Sequence, residues 1–156
     1  MKCLTLKQPL ADLVVDGKKT VELRKWNTTF RGEFLVHASK EIDLDVCRRL
    51  DIDPASLVTG AVVGSATVVG VKVYGSGREV DADAKLHMVA GCRQYSDARF
   101  GFILGSPRKF ARPVPMDGWL RFFDVDKGLV KEAERSSAAA LLRRGERGRV
   151  KSAARA

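Results

Sequence analysis

The chain has 156 residues, and its 28 Lys and Arg against 19 Asp and Glu give a formal net charge of +9. A chain of this length fits one domain and buries about 68–70% of its unfolded surface, so it can form a core without disulfides. Its longest apolar stretches fall well short of the ~20 residues of a membrane span, and its start does not resemble a signal peptide. We therefore expect a soluble, cytoplasmic monomer with no membrane partner.

The positive charge is concentrated near the C-terminus. Residues 127–156 hold nine Lys or Arg and three Glu, which is most of the excess. Basic proteins without membrane signals often bind polyanions, although a charged tail can also serve only to stay solvated. The cysteines, Cys3, Cys47 and Cys92, show no spacing typical of a metal site, and we expect neither a metal nor another cofactor.

Turn residues define the first elements. Residues 5–17 predict a short strand and a helix of about two turns, with Pro9 in the first helical turn and Gly17 in the left-handed position that ends it. Leu10, Leu13 and Val14 then share one buried face.

The next segment, 19–24, alternates as a strand does, with Lys19 on the face opposite Glu22 and Arg24. All three side chains converge only if the turn at Gly17 and Lys18 is irregular.

Further strands are predicted at 33–38, 60–73, 100–104 and 119–123. Gly64 and Gly70 are the expected bulge positions in the long strand. Helices are predicted at 43–50, capped by Asp43 with Leu44, Cys47 and Leu50 at spacings of three, and at 81–90. Residues 105–115 form an extended prolyl loop.

This pattern predicts an α+β fold, a small partly open β-barrel with short helices inserted. We place the domain at residues 1–126. Residues 127–156 are expected to form a basic helix, with Leu129 and Val130 on one apolar face, and then a flexible tail.

The combination of Gly17, Lys19, Glu22 and Arg24 resembles the G-x-K-x-x-E-x-R pattern of the ASCH (activating-signal-cointegrator homology) family. Gln8-Pro9, Trp26, Arg31-Gly32 and His37-Ala38 are similar to the branch typified by a eukaryotic transcription coactivator. The similarity is good over residues 2–39 and loose over 100–123.

The resemblance implies a PUA-like barrel that binds nucleic acid, most of all RNA, in a cleft near the motif, with a role in RNA metabolism, translation or transcription coactivation. The residues expected to contact the ligand are Lys18, Lys19, Glu22, Arg24, Trp26, Arg31 and His37.

The residues themselves leave two interpretations open. Lys19 and Arg24 can contact phosphate or a base edge while Glu22 orients the arginine, or the three side chains can simply brace each other. Trp26 can stack on an unpaired base or pack in the core. His37 on its strand is more typical of a packed residue than of a ligand.

An enzyme is the alternative function. One branch of similar fold consists of acetylcytidine amidohydrolases, but Glu22 stands where their nucleophilic Thr is expected, and Thr20 lies two residues earlier. A ribonuclease that uses a metal would need a carboxylate or histidine cluster, whereas His37 and His87 are isolated.

A basic surface outside the cleft is the last candidate. Arg108, Lys109 and Arg112 can form a second wall beside the cleft or only keep the prolyl loop soluble. Arg143 and Arg144 in the tail can strengthen binding to any polyanion, and an interaction module that docks on acidic protein or ribosomal RNA through this tail is the remaining possibility.

Overall fold

The computed structural model describes residues 1–91, 93–132 and 135. Its strands are β1 (Lys2–Gln8), β2 (Val21–Arg24), β3 (Gly32–Ile42), β4 (Ala61–Val73), β5 (Phe100–Pro115) and β6 (Phe122–Asp124). Its helices are α1 (Leu10–Val15), α2 (Leu44–Leu50), α3 (Gly77–Ala82) and α4 (Ala84–His87), with single 3-10 turns at Pro54–Ser56 and Arg93–Tyr95.

The six strands form one mixed sheet in the order β2-β5-β4-β3-β1-β6. The pairing of β1 with β3 is parallel and the other pairings are antiparallel. The sheet curls without closing, and aromatic rings bridge its two ends. Trp26, which follows β2, packs edge-on against Phe122 of β6 with ring centroids 5.9 Å apart. The predicted α+β fold with a partly open barrel is confirmed.

The long strand β4 bends at the predicted glycines. Its pairing with β5 shifts register at three points, and two of them, between Val62 and Gly64 and between Val68 and Gly70, adjoin the predicted glycines. The third shift, between Ser65 and Thr67, was not predicted. A Cβ on Gly64 would collide with the Arg108 carbonyl oxygen and would lie 2.7 Å from Val15 of α1. Glycine therefore allows α1 to sit close against the curved sheet.

Both N-terminal helix predictions are confirmed. Helix α1 buries Leu10, Leu13 and Val14 in the main core, and Gly17 adopts a φ of +78° just beyond it. In α2, the Asp43 side chain caps the helix by accepting a hydrogen bond from the Val46 amide.

The buried face of α2 differs from the expected one. Val46 and Cys47 point inward while Leu44 is exposed, because the side chains that face the core are set by the packing of the helix and not by apolar spacing alone.

The predicted prolyl loop is instead the second half of β5. Strand β2 pairs only with residues up to Ile103, so from there to Pro115 β5 pairs with β4 alone. Prolines are tolerated on a strand edge that needs no donor, which explains why this segment remains extended and paired despite its composition.

Two other boundaries were wrong. The helix expected at 81–90 is split into α3 and α4, with Asp83 between them. The strand expected at 119–123 is reduced to β6, because Arg121 has a φ of +57° and interrupts any extended run before it.

A second, smaller core lies on the opposite face of the sheet, where Cys3 and Leu35 alternate with Leu4 and Val36 of the main core. The chain is helical at 127–132, where Val130 is buried with Cys3, Leu35 and Phe110 while Leu129 is exposed. Apart from Arg135, which is also helical, the rest of the predicted helix and tail lies outside the described residues, as does Cys92. Among the described helices, none is long and apolar enough to cross a membrane.

Candidate nucleic-acid interface

The turn after α1 brings Lys19 toward Glu22. The backbone N–H groups of Lys18 and Lys19 both donate to the Leu13 carbonyl oxygen, each at 2.9 Å, and regular strand pairing begins only at Val21. The turn is therefore irregular, which is the condition under which the sequence allowed Lys19, Glu22 and Arg24 to converge.

Lys19 is a buried structural residue. It is 2% exposed, and its Nζ donates to the carbonyl oxygens of Val21 (2.6 Å) and His87 (2.7 Å) and lies 3.2 Å from Glu22 Oε2. Burial lowers the pKa of Lys19, and the Glu22 carboxylate opposes that shift. Three acceptors match the three N–H bonds of an ammonium group, so this environment holds the charged form in place and leaves Lys19 no donor for a ligand.

Glu22 links Lys19 to Arg24. Its Oε1 accepts from Arg24 Nε at 3.0 Å while its Oε2 faces Lys19. Arg24 also donates from Nη2 to the Thr5 carbonyl oxygen of β1 at 2.8 Å. Because β6 pairs with β1 only as far as Leu4, Arg24 ties β2 to β1 beyond the end of β6, across the open side of the sheet. The three side chains therefore brace each other in the structure.

Trp26 is half-buried and has a structural role as well. Its ring packs edge-on against Phe102, with centroids 5.1 Å apart, in addition to Phe122. The guanidinium carbons of Arg24 and Arg121 lie 5.8 Å and 5.3 Å from its ring centroid. The ring thus supports two cations at the cleft opening.

A cleft of about 300 Å³ opens beside this motif. Besides Glu22, Arg24 and Trp26, the residues that line it include Lys7, Lys25, Gln94 and Tyr95. Lys7 contacts Gln94 (3.2 Å) and Glu41 (3.1 Å) through its Nζ. Gln94 in turn donates to Asp43, which connects the cleft wall to the start of α2.

His87 provides one of the carbonyl acceptors of Lys19, and its ring is fixed by two hydrogen bonds. Its Nδ1 accepts from the Val89 amide at 3.1 Å, so its Nε2 carries the proton and donates to the Val80 carbonyl oxygen at 2.8 Å. Burial lowers the pKa of His87. The neutral ring fixes the segment whose carbonyl oxygen receives Lys19.

Other residues that the sequence suggested lie apart from this cleft. Lys18 and Arg31 are exposed, and Arg31 donates to the carbonyl oxygens of Thr28 and Phe30. His37 is buried, with Nδ1 3.2 Å from Thr5 Oγ1 and Nε2 2.8 Å from the Met116 carbonyl oxygen.

The basic segment of β5 does not line the cleft either. Arg108 faces Glu33 at 3.5 Å, Lys109 faces Asp16 at 3.2 Å, and Arg112 is exposed on the same strand. Arg143 and Arg144 lie outside the described residues. Within residues 1–91, 93–132 and 135, no three His, Cys, Asp or Glu side chains are grouped as metal ligands would be.

Sequence reasoning missed five polar or charged residues that line or flank the cleft: Lys7, Lys25, Gln94, Tyr95 and Arg121. Lys7 lies beside Gln8-Pro9 and could have been found, because Lys7 and Thr5 lie on the strand face opposite buried Leu4 and Leu6. Gln94 and Arg121 are far from the motif in sequence, and only the folded chain brings them near it.

The curled mixed sheet, with short helices inserted and a cleft beside its short edge strand, agrees with the PUA-like fold that the sequence resemblance implied. A family model described as "ASCH domain" matches residues 4–113. The chain therefore belongs to the ASCH domain family, as its motif indicated.

Curated relatives and solved structures agree with this assignment. Activating signal cointegrator 1 of human and of mouse is 27% identical over 150 residues, which cover 83% of this chain but only 24% of those proteins. The chain thus spans about a quarter of their length. The crystal structure of ASCH from Zymomonas mobilis superimposes with a TM-score of 0.59 at 16% identity, covering 83% of this chain and 90% of that one. A variant of the same protein gives a TM-score of 0.61, which supports the fold.

Proposed function

We propose that the protein binds single-stranded nucleic acid, and RNA in preference to DNA, in the cleft at Arg24. The observation that carries the proposal is a charge imbalance: two cations, Lys19 and Arg24, share the single carboxylate of Glu22. Lys19 and Glu22 are buried and neutralise one another, so the charge of Arg24 remains at the cleft. A phosphate group on the open side of Arg24 would balance it.

The donors of Arg24 support the same proposal. A guanidinium has five N–H bonds. One bonds to Glu22 and one to Thr5, and the other three have no hydrogen-bond partner in the part of the chain that the structure describes. Since the two internal bonds fix the plane of the group, the remaining donors are oriented before a ligand arrives, as suits bidentate binding of phosphate.

Exposed cations at the cleft rim can contact further phosphate groups along the ligand backbone. Lys25 pairs with Asp97 at 3.1 Å, but both side chains are about two-thirds exposed. Such surface pairs contribute about 0–1 kcal/mol, so a phosphate can replace the carboxylate at little cost. Arg121, held near Trp26, adds a second guanidinium plane on which an unpaired base can stack.

RNA is the first candidate because the ASCH family is associated with RNA binding. Within this proposal the protein acts as a cytoplasmic monomer in RNA metabolism, translation or transcription coactivation, the last suggested by the name of its cointegrator relatives.

The proposal is tested by removing two exposed cations at the cleft rim, neither of which belongs to the network of Lys19, Glu22 and Arg24. We expect the double variant Lys25→Ala with Arg121→Ala to bind mixed-sequence single-stranded RNA more weakly. The slope of log affinity against log salt should become shallower by about 0.7 for each phosphate that the variant no longer neutralises. Fluorescence anisotropy across a salt series measures both quantities, and single-stranded DNA of the same sequence tests the preference for RNA.

A matched control removes the same amount of charge elsewhere. Lys85→Ala with Arg112→Ala removes two exposed cations that do not line the cleft. It should retain the wild-type salt slope. Equal weakening by the two double variants would show that binding depends only on net charge, and would contradict a specific cleft.

A further inference from the structure

A second cavity, of about 600 Å³, lies between β1, β3 and the segment that leads into β6. Its lining includes Thr5, Lys7, His37, Lys40 and Trp119. This volume is within the range of about 300–1,000 Å³ that is typical of small-ligand sites, and it is enough for one nucleotide.

The segment over this cavity, residues 116–121, is anchored at two points. His37 Nε2 donates to the Met116 carbonyl oxygen at 2.8 Å. Two residues later, Gly118 lies so close to β1 and β3 that a Cβ would be 2.5 Å from Thr5 Oγ1 and 2.6 Å from His37 Cε1. The backbone that carries Trp119 is therefore held in place by a buried histidine.

Two large apolar side chains follow this anchor and face solvent. Trp119 is 69% exposed and Leu120 is 92% exposed. Since each Å² of apolar surface left in water costs about 25 cal/mol, an indole presented on an anchored backbone is costly unless a ligand covers it. A flat aromatic ring at the edge of a polar cavity can stack on an unpaired base.

The two cavities share a wall. Lys7 lines both of them. Thr5 lines the second cavity, while its carbonyl oxygen accepts the hydrogen bond from Arg24 of the first. A nucleic-acid strand held at Arg24 can therefore cross β1 at Lys7 and reach Trp119.

The polar groups around the second cavity suit a nucleotide. Lys7 and Lys40 are paired with Glu41 (3.1 Å) and Asp117 (3.7 Å) in exposed ion pairs that phosphate can displace. The carboxylates released in this way can accept hydrogen bonds from the amino groups of a base or from ribose hydroxyls.

We propose that this cavity is a second subsite, in which an unpaired base of the same RNA strand stacks on Trp119. The inference rests on the proposed function, because the strand must be held at the Arg24 cleft. It extends that function by adding a separate subsite, which only ligands long enough to span both cavities can use.

Length dependence tests the subsite. We expect Trp119→Ala to weaken binding of single-stranded RNA of about 10 nucleotides, a length within the usual range for one small barrel, by about 5- to 150-fold. The same variant should bind a dinucleotide as the wild type does. Trp119→Phe keeps an aromatic ring and should restore most of the affinity for the longer RNA. The control Val73→Ala trims an exposed apolar residue that lines neither cavity and should change neither affinity.

Tryptophan emission gives an independent measurement. The chain has two tryptophans, Trp26 and Trp119. Stacking on Trp119 predicts that the longer RNA quenches wild-type emission more than it quenches Trp119→Phe.

Each result separates the two proposals. If the wild type binds the longer RNA and Trp119→Ala binds it equally well, the second subsite is wrong and the Arg24 cleft stands. If Trp119→Ala weakens the dinucleotide as much as the longer RNA, Trp119 belongs to the first site and a separate subsite is also wrong. If the wild type binds no RNA of either length, the proposed function itself fails.

Discussion

The motif segment, residues 17–24, and the loop segment, residues 116–121, differ in the solvent exposure of their functional side chains. In the motif segment, a charged lysine and a glutamate are buried and bonded to one another. In the loop segment, a tryptophan and a leucine are presented to water on an anchored backbone. The motif segment thus buries charged groups and the loop segment exposes apolar ones, which is the reverse of what the hydrophobic effect alone would produce.

The contrast separates framework from contact. Lys19 and Glu22 belong to the recognisable motif, yet their hydrogen-bonding groups are directed inward and hold Arg24 in place. Trp119 belongs to no motif, yet it has the exposed surface that a ligand requires. A strong sequence pattern can therefore mark the framework of a site, while the contacts come from residues around it.

The largest expected effect comes from breaking the framework. Lys19→Met keeps most of the side-chain volume but leaves the carbonyl oxygens of Val21 and His87 without their donor and Glu22 without one of its two cations. Removing one member of a buried pair costs about 3–5 kcal/mol, and we expect a loss of that size in the free energy of unfolding by urea. The exposed neighbour provides the control, since Lys18→Met should change stability by no more than about 0.5 kcal/mol. Equal stability of the two variants would show that Lys19 is not part of the framework.

A smaller effect is expected from disturbing the loop anchor. Gly118→Ala places a methyl group against Thr5 and His37, and His37 cannot move freely because both of its ring nitrogens have partners. Overpacking of this kind costs about 1–3 kcal/mol, which thermal or urea unfolding would detect. Gly77→Ala is the matched change, because nothing lies within 4 Å of the added methyl group. A Gly118 variant as stable as the Gly77 variant would mean that the loop is not anchored at this point.

Local signals predicted much of the framework. Gly17, Asp43 and the two glycines of β4 act through their own backbone or a neighbouring turn, and each lies where its residue type indicated. The convergence of Lys19, Glu22 and Arg24 was conditional on an irregular turn, and that condition is met.

The rest depends on contacts between distant segments. The strand conformation of residues 105–115 follows from the shortness of β2, which leaves β5 an edge where prolines are tolerated. The position of Trp119 follows from a hydrogen bond between residues 79 positions apart, His37 and Met116. Neither could be deduced from residue types within a local window.

The central claim is that RNA binds in the cleft at Arg24. Its most direct test is an NMR titration of isotope-labelled protein with single-stranded RNA, because one experiment reports on both the cleft and the basic half of β5. We predict that the side-chain Nε–H of Arg24 and the amides of Lys7, Lys25 and Gln94 shift most, while those of Lys109 and Arg112 on β5 change little. Shifts concentrated on residues 105–115, with the Arg24 signal unchanged, would contradict the account and place the binding surface on the basic half of β5.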